Sequence, residues 1–237
     1  MMPARVLKAD TSESTQMALN NAKEVILSGG VVAVPTESFY ALAVSVMDEN
    51  ALRRLMSIKK RPEKNPILIL ISSADDLDRY VVQVPPMAMK LIRRFWPGGL
   101  TLVFQGKENL SPTLTSGTGQ IGVRLSSHPV PTELARLAGV AITGTSANVS
   151  GEPPCRSAAQ VMKAIGNEID LVIDGGETQG GKASTVLNVT VQPPKILREG
   201  MVSLDLLMPF LSAIYVKKPE CPARKSGPTL KGGDEWP

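Results

Sequence analysis

Three short polar runs and three isolated side chains carry the chemistry this sequence has to offer. The runs are Pro35-Thr36-Glu37-Ser38-Phe39-Tyr40, Lys59-Lys60-Arg61-Pro62 and Gly144-Thr145-Ser146-Ala147-Asn148-Val149-Ser150-Gly151. Small hydroxyl and amide side chains in glycine-rich turns hydrogen-bond a ligand without blocking its approach. Lys59 and Arg61, two apart in a loop, suit a polyphosphate, because arginine offers a planar fork and lysine a mobile point charge. Arg124 and Arg198 each fall inside a strand-like pattern, and together with Ser184 they fit an anion site. Each feature also has an ordinary structural reading. Cations are favourable at a helix C-terminus, Ser146, Asn148 and Ser150 are common turn and cap residues, and Thr36 after Pro35 suits a cap.

Several reaction classes are excluded by residue type. The chain has one histidine, His128, and two cysteines, Cys155 and Cys221. That argues against a disulfide framework and against a Cys/His zinc site. A Ser-His-Asp or Cys-His enzyme must use His128, and no nucleophile-elbow pattern lies near it. Two glycine-rich runs imitate nucleotide motifs. Gly176 to Ala183 nearly matches the phosphate-loop pattern, but Ala183 replaces the magnesium-binding hydroxyl and a strand pattern follows instead of a helix. Gly117 to Gly122 matches the spacing of a dinucleotide fingerprint, yet it too leads into a strand. Both motifs depend on the free N–H groups of a helix N-terminus.

The chain has 237 residues, 43% hydrophobic and 20% charged, enough to bury a substantial core and too apolar for disorder. Apolar runs such as Ile67 to Ile71 are strand-sized, far below the ~20 residues of a membrane span. The N-terminus shows no apolar signal core, so a reducing, cytoplasmic setting is expected. Net charge is only +4, and from Val216 onward five basic residues face three acidic ones. Basic surface elsewhere must therefore be a local patch.

The elements that position these groups follow from periodicity. Helices are expected from Ser12 or Ser14 to about Ser28 with Gly29-Gly30 as the stop, after an Asp48 cap, at Met87–Phe95, Pro131–Leu137, Ala158–Ile165 and Leu204–Ala213. Strands are expected at Val31–Val34, Ile67–Ile71, Leu100–Phe104, Ile121–Leu125, Val140–Thr143, Leu171–Asp174, Thr185–Val189 and Lys195–Arg198. Interleaved strands and helices without a repeat predict one α/β domain over residues 1–215 with a mixed sheet. Residues 216–237, rich in proline and glycine, read as a flexible basic tail. The polar runs fall at strand ends, where open α/β sheets bind ligands.

Eight short motifs in order resemble those of the YrdC/Sua5 family. They are Pro35-Thr36-Glu37-Ser38-Phe39-Tyr40-Ala41-Leu42, Lys59-Lys60-Arg61-Pro62 with Asn65-Pro66-Ile67, Phe95-Trp96-Pro97-Gly98-Gly99-Leu100-Thr101, Gly122-Val123-Arg124 with His128-Pro129, Ser146-Ala147-Asn148-Val149-Ser150-Gly151, Asp174-Gly175-Gly176, Ser184-Thr185-Val186 and Ile196-Leu197-Arg198-Glu199-Gly200. The pattern departs at Leu70, Ala41 and Gly99, where the family carries histidine, glycine and proline. The resemblance implies a twisted, open mixed β-sheet flanked by helices, with a basic concave cleft. It implies the single-domain form of a threonylcarbamoyl-AMP synthase, a nucleotidyltransferase joining L-threonine, bicarbonate and ATP, with Mg²⁺ on the phosphates, for tRNA modification. By the same resemblance Lys59 and Arg61 hold the ATP phosphates. Ser146, Asn148, Arg156 and Arg198 surround the nucleotide, and Thr36, Tyr40, Arg124 and Ser184 hold threonine, with Thr101 as loop support. Partners would be tRNA or the downstream transferase machinery, with no membrane. Two alternatives stand beside it: an RNA-binding module using the same cleft, disfavoured by the 4% aromatic content, and an enzyme adenylating a different carbamate.

Overall fold

The computed structural model describes residues 3–60 and 67–215. The chain runs β1 (Arg5–Lys8), α1 (Ser12–Leu27), β2 (Val32–Val34), β3 (Ala41–Ala43), α2 (Glu49–Lys59), β4 (Leu68–Leu70), α3 (Leu77–Tyr80), α4 (Pro86–Phe95), β5 (Leu100–Gln105), α5 (Pro112–Thr115), β6 (Gln120–Arg124), α6 (Pro129–Ala138), β7 (Ile142–Thr143), β8 (Thr145–Ser146), α7 (Ala158–Ile165), β9 (Leu171–Asp174), β10 (Thr185–Asn188), β11 (Lys195–Arg198) and α8 (Leu204–Tyr215). The α/β class and the mixed strand pairing hold. The strands divide between two sheets, where the sequence pattern had suggested one. The first sheet is ordered β1-β9-β2-β3-β8, the second β11-β10-β5-β6-β4-β7. Strands β1, β3 and β8 are additions to the expected set.

Local chemistry sets the element ends. Thr11, rather than Ser12 or Ser14, caps α1, and Ser14 completes a reciprocal capping box with it. Gly30 N–H donates to Val25 O at 2.8 Å and Gly29 N–H to Ile26 O at 3.2 Å, with Gly29 at φ +77°. This is a Schellman ending, and the left-handed backbone favours glycine there. Asp48 caps α2 through its side chain, as expected. His128 caps α6, its Nδ1 accepting from Val130 N–H at 3.2 Å, with Pro129 in the first turn.

Alternation decides which face of each sheet is apolar. In the first sheet, Val32, Val34, Ala41, Ala43, Leu171 and Ile173 pack with α1 and α6, while Ala33, Leu42 and Val172 face the larger core. In the second, Leu100, Leu102, Phe104, Ile121, Val123 and Leu187 enter that same core. The opposite face presents Thr101, Val103, Gln120, Gly122, Arg124 and Val186 to an open cleft. Gly144 is the crossing point between the sheets, lying between β7 of the second and β8 of the first. A Cβ there would meet Leu70 Cγ at 2.7 Å, so the close approach requires glycine. Residues 216–237, expected to form a tail, and residues 61–66, Arg61 included, lie outside the described residues.

Candidate functional site

The cleft encloses about 680 Å³. Its floor is the polar face of β5, β6 and β10. Its walls are the loop from Thr36 to Tyr40, the turn from Gly144 to Asn148, and the residues Ser184, Leu197 and Arg198. Eight residues singled out in the sequence line this one space: Thr36, Tyr40, Thr101, Arg124, Ser146, Asn148, Ser184 and Arg198. Their convergence depends on both sheets, because Thr36 and Tyr40 flank the first while Arg124 ends a strand of the second.

The first wall is closed by its own polar groups. Thr36 Oγ1 donates to Phe39 O at 2.7 Å, and Ser38 and Phe39 N–H both reach Thr36 Oγ1 at 3.3 Å. Tyr40 is buried, and its hydroxyl donates to Gly176 O at 2.8 Å. Burial, with Asp174 adding to it, pushes the Tyr40 phenol up to about 12. It therefore remains a neutral donor that ties β3 to the loop after β9.

The second wall reverses one expectation. Lys59 was expected to stand exposed in the cleft. It is instead only 3% accessible and does not line the cleft. Its Nζ donates to Ser146 O and Asn148 O, both at 2.6 Å, and lies 3.3 Å from Asn148 Oδ1. The physical reason is a long-range contact at the helix end. The helix ends at Lys59, and Lys60 turns left-handed at φ +47°. Ser150 N–H donates to Lys59 O at 2.9 Å, which draws the 146–150 turn over the helix end. A buried ammonium needs acceptors, and the turn's carbonyls supply them. The Asn148 amide is likewise committed, donating to Val149 O at 2.9 Å and Glu152 O at 2.6 Å. Lys59 and Asn148 thus shape the wall that presents Ser146.

The third wall is a hydroxyl-guanidinium cluster. Thr101 Oγ1 and Ser184 Oγ are 2.9 Å apart. Arg198 Nη2 donates to Ser184 Oγ at 3.1 Å and to Ser184 O at 2.9 Å. Burial pulls the Arg198 guanidinium below its ordinary range. Arg124 is 3% accessible, and its Nη1 lies 3.2 Å from Glu37 Oε1. Burial lowers its pKa, Glu37 opposes that, and Arg198 adds to the lowering, so the two arginines sense each other across the cleft. Arg156 stands apart: half-exposed, it pairs with Glu177 at 3.2 Å and does not line the cleft.

Sequence reasoning missed Glu37 as the partner of Arg124, Ser126 as the partner of Glu37, and Thr118, Gln120 and Glu152 as lining. Gln120 was legible, since it shares a strand face with Gly122 and Arg124. Glu37 had no local signal, because its partners come from another sheet. Among the described lining residues the formal charges are Arg124 and Arg198 against Glu152.

A two-sheet α/β fold here gathers two arginines and a set of small hydroxyls in one cleft, a chemistry suited to an anionic small molecule. The chain belongs to the Sua5/YciO/YrdC family, whose profile, described as "Telomere recombination", matches residues 24–200. It is 38% identical over 191 residues to the threonylcarbamoyl-AMP synthase of Pyrococcus abyssi, covering 81% of this chain and 56% of that one. It is 32% identical over 210 residues to the corresponding Bacillus subtilis protein, covering 88% and 61%. The solved structure of P. abyssi Sua5 complexed with L-threonine superposes with a TM-score of 0.82 at 34% identity, covering 92% of this chain and 65% of that one. The chain thus spans somewhat over half the length of these two curated relatives.

Proposed function

We propose that this protein is a threonylcarbamoyl-AMP synthase, converting L-threonine, bicarbonate and ATP into threonylcarbamoyl-adenylate and pyrophosphate. One observation carries the reading: Thr36, Tyr40, Thr101, Arg124, Ser146, Asn148, Ser184 and Arg198, all in the family's motifs and far apart in sequence, line a single cleft of about 680 Å³. The names of the relatives and the threonine bound by P. abyssi Sua5 support the choice of substrate.

In this reading the threonine carboxylate meets Arg124, with Thr36 and Ser184 hydroxyls beside the amino acid. A guanidinium matches a carboxylate's geometry. The threonine amine forms a carbamate with bicarbonate, a C–O bond of which breaks to release water, and a carbamate oxygen attacks the α-phosphorus while pyrophosphate leaves. No step requires an enzyme nucleophile. The cleft contributes positioning and charge stabilisation, with Arg198 and Ser146 near the phosphates. Arg61 is assigned to the phosphates, and Arg156 to the outer nucleotide, by family resemblance alone. Lys59 acts by holding the Ser146–Asn148 turn. Magnesium is expected to arrive on the ATP. Among the described residues no cluster of three acidic, histidine or cysteine side chains is present. A magnesium held by phosphates and water needs only one or two carboxylates, and Glu152 is available in the lining. The product is then available to a transferase acting on tRNA.

The test is direct. The purified protein is incubated with ATP, Mg²⁺, bicarbonate and each amino acid in turn, and pyrophosphate and adenylate are read by mass spectrometry. Product that requires both threonine and bicarbonate is the expected outcome. Product with another amine alone, or none with any, overturns the assignment.

A further inference from the structure

Behind Arg124 lies a group that the functional reading above does not use. Glu37 follows Thr36 in the β2–β3 loop, its side chain is only 10% accessible, and it is not part of the cleft lining. One carboxylate oxygen accepts from the Ser126 hydroxyl, and the other, Oε1, lies 3.2 Å from Arg124 Nη1. Oε1 is buried and accepts no hydrogen bond, and neither does Arg124 Nε–H find an acceptor. A buried donor and a buried acceptor left unmatched at one ion pair call for an explanation. Arg124 and Ser126, two apart on an extended chain, reach the same carboxylate. Ser126 is itself held, since His128 N–H donates to its hydroxyl at 3.2 Å and Thr132 Oγ1 to its carbonyl at 3.1 Å.

We propose that Glu37 is a positioning residue: anchored by Ser126, it holds the Arg124 guanidinium from behind, so that Arg124 faces the cleft ready for a substrate carboxylate. The arrangement has the logic expected of a preorganised anion site. Burial and Arg198 both weigh against a charged Arg124, and Glu37 is the acidic group that offsets them. Its imperfect hydrogen bonding leaves donor capacity on the guanidinium rather than saturating it. The polar route runs from the start of α6 through Ser126 and Glu37 to Arg124, tying the second sheet's strand end to a loop of the first. The proposal rests on the reading that Arg124 receives the threonine carboxylate.

Two readouts test it. In steady-state assays Glu37→Gln should raise KM for threonine about tenfold or more while KM for ATP stays within about twofold. Glu37→Asp should recover part of the loss, and Ser126→Ala should fall between. In ¹⁵N-arginine-labelled protein, the Arg124 Nε–H resonance should exchange faster with solvent in Glu37→Gln and Ser126→Ala than in the unaltered chain. An unchanged threonine KM in Glu37→Gln, or equal rises for threonine and ATP, overturns the proposal. Where Glu37→Gln does not fold, Ser126→Ala decides by the same criteria. Should the unaltered protein show no threonine-dependent turnover, the functional reading falls. The resonance alone then decides, and unchanged exchange in both variants overturns the positioning role.

Discussion

Lys59 Nζ sits 2.6 Å from the carbonyl oxygen of Asn148, a residue 89 positions further along the chain. A lysine whose motif suggests a phosphate ligand is here the pin of a turn. Replacing it by the apolar near-isostere in Lys59→Met takes the ammonium donor from the Asn148 carbonyl and one of two donors from the Ser146 carbonyl, which keeps the Asn148 N–H at 3.0 Å. We expect a loss of about 2 kcal/mol in stability, read by urea denaturation, together with loss of turnover. Unchanged stability with lost turnover would return Lys59 to the phosphates.

Thr101 and Ser184 share a hydrogen bond at 2.9 Å across β5 and the entry to β10. Thr101→Val and Ser184→Ala should each destabilise modestly, and a double-mutant cycle should give a coupling of about 1 kcal/mol. Ser184→Ala also removes one acceptor of Arg198, so its effect on turnover should exceed that of Thr101→Val. Additive stabilities would sink the coupling.

Gly144 is where the chain passes from β7 of the second sheet to β8 of the first. Gly144→Ala places a methyl group against Leu70, and an overpacking cost of about 1–3 kcal/mol is expected. Leu70→Val in that background should recover part of it, which thermal melts of the single and double variants measure. A double variant no better than the sum of its parts would show that the Leu70 contact is not what requires glycine.

His128 is held neutral by burial, which lowers its pKa below the ordinary 6.5, with Glu37 opposing. The unfolded chain then binds the proton more readily than the folded one, so stability rises with pH. The contribution is complete above about 6.5 and is lost as pH falls through the lower folded-state value. Protonation at Nδ1 also removes the acceptor that caps α6. His128→Asn keeps a cap acceptor without the titration. Its stability should therefore be flatter than that of the unaltered protein between pH 7 and about 5.5. Parallel pH curves would contradict the assignment.

Much of this molecule was legible in the sequence. Hydrophobic periodicity placed β9, β11 and α7 at their observed limits, and the Gly29-Gly30 stop and Asp48 cap were readable because capping is chemistry between neighbours. The alternation Leu100, Leu102, Phe104 against Thr101, Val103 fixed which residues could face a cleft. The partition of strands into two sheets was not legible, since it depends on pairings such as β1 with β9 and β4 with β7, which no local pattern encodes. The roles inside the cleft were also beyond it. Thr36, Arg124, Ser184 and Arg198 all line the one cleft, but which cation stands in it and which is buried beside it turns on long-range contacts. Lys59 finds two carbonyls far along the chain, while Arg124 finds Glu37 on a loop of the other sheet. A residue's type sets what it can do, and the folded environment, through burial and the partners it supplies, decides which of those things it does.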